Sequence, residues 1–445
     1  MTTTPDTTTA PAPAPDADQR AFELLARCRP AWTGMTTVRE VLGEDRLLLH
    51  AGPPFSDPAT IPAPVLNSLA LACVFEGWAD DIEEGRRMVV SGEVPVGAAQ
   101  DHDIVVPLAG AVSPSMALHV VHDLGPSDTD TDTDTDTDTD TDTATPTGSR
   151  RVRYAVLNEG QEYALRLGTS DLRIVAHHRW LNGAFAEELT AALAAALEAG
   201  PVELYPLMSA ALAEGDECHS RTLAGSRLVA ARLREPASGT ASPGPGLSER
   251  STAFLDGAGA FALNLWMAAA SLTLGAAEGV SDATLITRAG GNGREFGVQL
   301  AGTPGRWFTT PATPPRGPVE PAHEGRRALG AVGDSAVVDV LGFGGQALEY
   351  APAVRAALGE HLPEDAADRP ARLLARPFAA GTGPGAPCAS GGAGKYIGTS
   401  AARITAAGTG PMVLLGMIEE TGTHGRIGGG VFDTPVSLFQ EAAAG

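Results

Sequence analysis

The sequence predicts an α/β protein of mixed, multi-domain architecture, with glycine-rich strand–turn segments and neither a standard Rossmann nor a P-loop fold. Three observations carry that expectation. The chain has 445 residues, too many for one small core, so two or three domains are expected. Hydrophobic residues make up 43% and charged residues 19%, the balance of a globular protein with a sizeable interior. Aromatics are only 5%, against 53 glycines and 34 prolines, which points to a turn-rich chain packed through Ala, Val and Leu.

Residues 1–19 are rich in Thr, Pro, Ala and Asp and read as a disordered tail. An N-terminal α/β region is expected over 20–235. It opens with a helix-like stretch at Ala21–Cys28, a short strand at Arg46–His50 and a helix from about Val65 to Val90. The Asp-Thr run at 128–143 cannot build a core and its like charges repel, so 127–149 reads as a low-complexity insert. It lies between two β-like segments, Val120-Val121 and Arg151–Leu157, as an expanded hairpin or surface loop would. Lengthening such a loop costs little, because closure entropy grows only logarithmically. The run lacks the glycine turn and closing glutamate of calcium loops, which argues against a calcium site.

Leu181–Ala199 reads as an amphipathic helix ended by Gly200-Pro201, and helical patterns recur at Leu204–Ala213 and Arg221–Leu233. Residues 236–252 form a loop or linker, clearest over Pro236–Ser248. A C-terminal α/β region over 253–445 then carries a helix near Phe261–Leu274. Strands are expected near Ala283–Thr287, Phe296–Leu300, Ala336–Leu341 and Met412–Met417.

The formal charge is -23 at pH 7, and eight of those charges come from the Asp-Thr run. The remainder is still acidic, with no basic patch for nucleic acid or an anionic membrane. Cys28, Cys73, Cys218 and Cys388 are far apart and lack the spacing of a zinc site, so they read as free thiols. The N-terminus has no basic or apolar leader pattern, and residues 263–277 are too short to cross a bilayer. A cytoplasmic location is the expectation.

Several blocks occur in an order that is similar to one known family. They are HAGPPF (50–55), FEGWA (75–79), NEG (158–160), GDECHSR (215–221), FALNLWMAAA (261–270), EFGVQLAG (295–302), WFTTPA (307–312) and GDSAV (333–337). Over roughly residues 21–440 the chain resembles the YlbE-like family (DUF1116), the family of an oxamate carbamoyltransferase subunit. The resemblance implies an enzyme that exchanges oxamate and carbamoyl phosphate with oxalurate and phosphate. It also implies an FdrA-like partner subunit, in a homo- or hetero-oligomer. Two other functions stay open, because fold does not settle function: a hydrolase or cyclase acting on another amide or carbamoyl compound, or a non-catalytic subunit of a partner enzyme.

Within GDECHSR, Asp216, Glu217, His219 and Arg221 crowd four ionisable groups together. His219 is a candidate general base held by a carboxylate, and Arg221 a candidate grip on a carboxylate or phosphate. An ordinary Glu217–Arg221 helix pair is the plainer alternative, and the resemblance tips the balance to function. His50 ends a buried strand before the rigid turn Ala51-Gly52-Pro53-Pro54, a favoured position for site residues. Asn158 and Glu159 follow a strand, and Glu159 is a candidate base or amide acceptor. Arg288 and Asn292 stand in the glycine-rich stretch 287–297, which suits an anion but equally a plain hairpin.

Residues 333–347 run from Asp334 and Ser335 into Gly342, Gly344 and Gly345, a match to G-x-G-x-x-A. Pro352 interrupts the long helix that a dinucleotide fingerprint needs, so NAD is not expected, while a phosphate-binding turn remains reasonable. The stretch 390–396 lacks the first glycine and the Ser/Thr of a P-loop. No cofactor is expected. A metal at His102, Asp101 and Asp103 is disfavoured, since strand alternation would split the three between faces.

Overall fold

The computed structural model describes residues 16–125, 151–159, 163–235, 246–377 and 396–445. The expected tail, the Asp-Thr insert, Cys388 and the P-loop look-alike fall mostly or wholly outside those residues. Helices and several separate sheets alternate along the chain, so the α/β expectation holds.

Among the described residues, one five-stranded sheet runs in the order Ile104–Val105, Val152–Val156, Ala117–Asp123, Pro30–Thr37, Val202–Glu203. Ala117–Asp123 and Val152–Val156 pair antiparallel out to His122 opposite Val152, the hairpin flanks expected around the insert. A four-stranded antiparallel sheet is ordered Phe308–Pro311, Glu295–Leu300, Ile286–Asn292, Val332–Gly333. A small three-stranded sheet joins Leu48–His50 to Val96–Ala98 and Ala111–Val112, and Met412–Ile418 pairs with Arg426–Asp433.

The helix Phe261–Gly275 sits at the centre of the largest core. All fifteen of its residues are buried, and it is apolar around its whole circumference, as a helix with no solvent face must be. It packs on Val152–Val156 and Ala117–Asp123 on one side and on Ile286–Asn292 and Ala336–Leu341 on another. Each buried leucine there contributes roughly 1.5–3 kcal/mol. This core draws residues from both sides of 236–252. Within that stretch, Ser248 caps a helix, Glu249–Gly257, by accepting from the Ser251 amide. Among the described residues no single helix is long and apolar enough to cross a bilayer.

Two local expectations are corrected. The helix expected over 65–90 is two helices, Ala63–Glu76 and Ile82–Val90. Gly77 ends the first in a left-handed conformation, and Asp81 caps the second through the Glu84 amide. Ala336–Leu341, expected as a strand, is a helix with every residue buried. A short β-branched apolar run has no polar face to reveal its period, so burial on all sides hid the helix.

Candidate functional site

The GDECHSR block is a strap rather than a helix. Cys218 lies at φ +69, a conformation that costs a non-glycine residue energy and persists only where surrounding structure enforces it. That bend separates Glu217 from His219. Glu217 is buried and accepts from the Ser220 amide and hydroxyl and from the Arg221 amide at 3.0 Å, so it braces the strap itself. Burial pushes its carboxyl up, against those hydrogen bonds. Asp216 accepts from the Gly225 amide at 2.9 Å and approaches Arg221 Nε at 3.4 Å; burial raises its pKa as well.

His219 Nδ1 meets Asp339 Oδ2 at 2.6 Å, and both residues are buried. Asp339 comes from the Ala336–Leu341 helix, 120 positions later, and was not singled out in the sequence. Its other oxygen accepts from the Gly345 and Leu414 amides at 2.8 and 3.1 Å. Burial alone would lower the histidine pKa; the Asp339 charge and hydrogen bond, with the Glu217 charge, overcome it and raise it. The glycines that imitate a nucleotide fingerprint serve this pair. Gly344 has φ +51, donates to the Glu217 carbonyl at 2.8 Å, and a Cβ on it would stand 2.1 Å from Asp339 Oδ1. Gly342 turns the chain at φ +129 to reach that position.

Ser220 and Arg221 line a cavity of about 500 Å³ together with Pro318, Leu414, Arg426 and Gly430. Arg426 pairs with Glu320 at 2.9 Å on the exposed side. Most of the lining is apolar, including Leu223, Val354 and Leu358, and Arg221 and Arg426 are the charged residues in it, a pair whose guanidinium groups would suit a phosphate or carboxylate. Arg426 was missed in the sequence because a lone arginine in a glycine-rich strand carries no motif.

A second buried polar cluster gathers around residues 106–110. Asp334 is fully buried and receives three N–H groups: Gly52 N at 2.8 Å, Val106 N at 2.9 Å and Gln100 Nε2 at 2.6 Å. Burial lifts its carboxyl to about 7 even so. Asp334 thus clamps three chain segments together, the work of a scaffold. His50 Nδ1 lies 2.7 Å from the Ala51 carbonyl, so that nitrogen carries the proton, and burial depresses the ring's pKa to about 4. Asn292 bonds the Pro53 carbonyl and the Arg294 and Glu295 amides, closing its own hairpin.

Glu159 is held by Arg166 Nη2 at 2.9 and 3.2 Å, beside Asn158. Arg288 is ringed by Glu278 and Asp103 at 3.0 and 3.1 Å, and Arg153 bridges the same two carboxylates. This ionic network, rather than an incoming anion, occupies Arg288. Asp101 accepts from Gln299 and Trp307, and His102 ends a 3-10 turn beside it. Among the described residues no three His, Cys, Asp or Glu side chains group as a metal site.

The two clusters adjoin. Ser335 and Asp339 are four residues apart at the start of one helix, hence neighbours on one face. Gly416 lies against both Leu108 and Arg426: a Cβ there would be 3.3 Å from Leu108 Cδ1 and 3.5 Å from Arg426 Cδ. None of His50, Arg288, His219 and Asp339 lines the cavity; Ser220, next to His219, and Leu414, bonded to Asp339, do.

Fold and site define a mixed α/β protein with a buried acid–histidine pair and, reached through Ser220 and Leu414, a neighbouring small-molecule-sized cavity. The family described as oxamate carbamoyltransferase subunit AllG matches residues 145–335, a span that holds His219, Asp334 and Ser335. Across the chain, the oxamate carbamoyltransferase subunit AllG of Escherichia coli (strain K12) is 28% identical over 440 residues, 96% of each chain. The uncharacterized protein YahG of the same organism is 27% identical over 437 residues, 96% of this chain and 85% of YahG. A crystal structure of a conserved protein of unknown function from Enterococcus faecalis V583 superposes with a TM-score of 0.82 at 25% identity, covering 96% of both chains. The chain is therefore similar over nearly its whole length to an oxamate carbamoyltransferase subunit and to a protein of uncharacterized function.

Proposed function

We propose that this chain carries out carbamoyl transfer of the oxamate carbamoyltransferase type, with carbamoyl phosphate as donor and oxamate or a related small amide as acceptor. The observation that carries the reading is the buried His219–Asp339 pair next to a cavity lined by Arg221 and Arg426: Ser220, the chain neighbour of His219, and Leu414, whose amide donates to Asp339, both line it. In the forward direction the amide nitrogen attacks the carbamoyl carbon, the carbon–oxygen bond to phosphate breaks, and phosphate leaves with that electron pair. The nitrogen's proton passes to His219 Nε2. Asp339 holds the ring in the tautomer that exposes this nitrogen and raises its proton affinity, as a base requires. Arg221 and Arg426 hold the phosphate and offset its developing charge. Cys218 and Gly344 place the pair, and Glu217 keeps the strap closed.

The chain works within a larger assembly in this proposal, since the AllG relative is named as a subunit. An FdrA-like protein is the partner proposed. The test is oxamate-dependent phosphate release from carbamoyl phosphate by the full chain, alone and with its partner subunits. Release that His219→Gln abolishes supports the assignment. Absence of release in the complete assembly, while the Escherichia coli system works alongside, overturns it.

A further inference from the structure

The turn Pro107–Gly110 is strained and ringed by unsatisfied polar atoms. Leu108 sits at φ +47, an outlier for a bulky residue, and the Gly110 amide closes the turn on the Pro107 carbonyl at 3.1 Å. Strain of this kind persists where the surroundings over-determine it, often at a site of function. Asn158 is fully buried, and its Oδ1 accepts from the Arg166 amide at 3.4 Å. An amide donates only to an acceptor, so Nδ2 is the atom left over, and it faces Gly110 without a partner. On the other flank a Cβ on Gly333 would lie 2.7 Å from the Leu108 nitrogen and 3.3 Å from Ser335 Oγ. Ser335 Oγ is buried and unpartnered as well.

His50 pairs in the sheet with Ala111, the residue after the turn. Its Nδ1 donates to Ala51, so Nε2 bears a lone pair, and that nitrogen is buried without a partner. The unsatisfied set is thus mixed: an N–H donor on Asn158, a hydroxyl on Ser335 and a lone-pair acceptor on His50. Each such buried group costs about 1–3 kcal/mol while unmet. A bare anion would answer only the donors, and a cation only the acceptor. A primary carboxamide answers both, through one accepting oxygen and two donating N–H groups.

We propose that the Pro107–Gly110 turn, with Asn158, Ser335 and His50, forms a subsite for the carboxamide group of a small acceptor amide. None of these residues lines the arginine-walled anion cavity, so the subsite lies apart from it. This rests on the carbamoyl-transfer reading, since it supplies that reaction's acceptor position. Ser335, one turn from Asp339 on the same helix face, puts the subsite beside the carboxylate that holds the His219 base.

Calorimetric titration of the intact chain, with any partner subunits needed for stability, tests it. The probes are oxamate, oxalate as its analogue without the NH₂ group, and inorganic phosphate. Oxamate should bind more tightly than oxalate. Asn158→Ala and Ser335→Ala should each weaken oxamate roughly tenfold, the worth of a lost buried hydrogen bond, and leave phosphate unchanged. Arg426→Ala should weaken phosphate instead. Circular dichroism melts identify any variant that fails to fold, and His50→Gln, which keeps a polar acceptor, gives a third reading of the same subsite. Equal binding of oxalate and oxamate, no binding of oxamate, or folded Asn158 and Ser335 variants that bind oxamate normally would each overturn the subsite. Carbamoyl transfer fails separately, when oxamate binds as described but no phosphate is released.

Discussion

His119 offers a measurement that depends only on where the chain buries a ring. It lies in the strand Ala117–Asp123, fully buried, edge-on to Trp32 and Phe261, with neither ring nitrogen bonded. Burial drives its pKa from 6.5 down to about 3. The folded state therefore refuses a proton that the unfolded chain takes up below 6.5. Stability is fully present above that value and falls as pH drops toward about 3. The gap of about 3.5 units corresponds to about 5 kcal/mol in all, of which about 2 kcal/mol is lost by pH 5, at about 1.4 kcal/mol per unit. His119→Leu keeps a similar volume, removes two unmet polar atoms and removes this titration. Urea unfolding of both proteins at about pH 8 and about pH 5 isolates the effect, because His50 and His178 titrate alike in each and cancel. The variant should lose about 2 kcal/mol less than the parent on acidification. Equal losses in the two proteins would falsify the argument.

Gly344→Ala places a methyl 2.1 Å from Asp339 Oδ1 at φ +51, so it should cost about 1–2 kcal/mol for the backbone alone. Thermal melting should drop by several degrees, and phosphate release should fall to background because the carboxylate must move. Asp339→Asn removes the charge that raises His219, so the ring should titrate at lower pH, read by NMR of the imidazole protons; an unmoved titration refutes the pairing. Gly416→Ala, with Leu108 and Arg426 at 3.3 and 3.5 Å, should change stability by less than about 1.5 kcal/mol yet raise the apparent KM for the amide. Phosphate affinity should hold steady in that variant.

The elements were legible wherever local pattern decides them. The Phe261–Gly275 helix and the Met412–Ile418 strand announce themselves through apolar runs bounded by turn residues, whereas the Ile286–Asn292 strand, expected only near 283–287, is masked by its glycines. His219 stood out through four ionisable groups within six positions, although an ordinary helix pair was the plainer reading until the family resemblance was added. Its partner was hidden. Asp339 sits inside an otherwise apolar helix misread as a strand, and nothing local says that a carboxylate there will meet a histidine 120 positions away. Arg288 shows the converse: among glycines it looked available, while Glu278, Asp103 and Arg153 closed on it from distant segments. Leu108, Gln100 and Arg426 matter through backbone strain or tertiary proximity, neither of which leaves a pattern in the neighbouring residues.

The Phe261–Gly275 helix has a thermodynamic consequence. Sheets from the front and the back of the chain close over the same fifteen residues, so neither half can expose its side without stripping the other's partner. Melting should therefore register as one calorimetric peak whose van't Hoff and calorimetric enthalpies agree, however many structural layers the chain displays. The acid–histidine pair, anchored one contact away through Ala336–Leu341, then loses its geometry only with the whole molecule and never in a partial opening of one half.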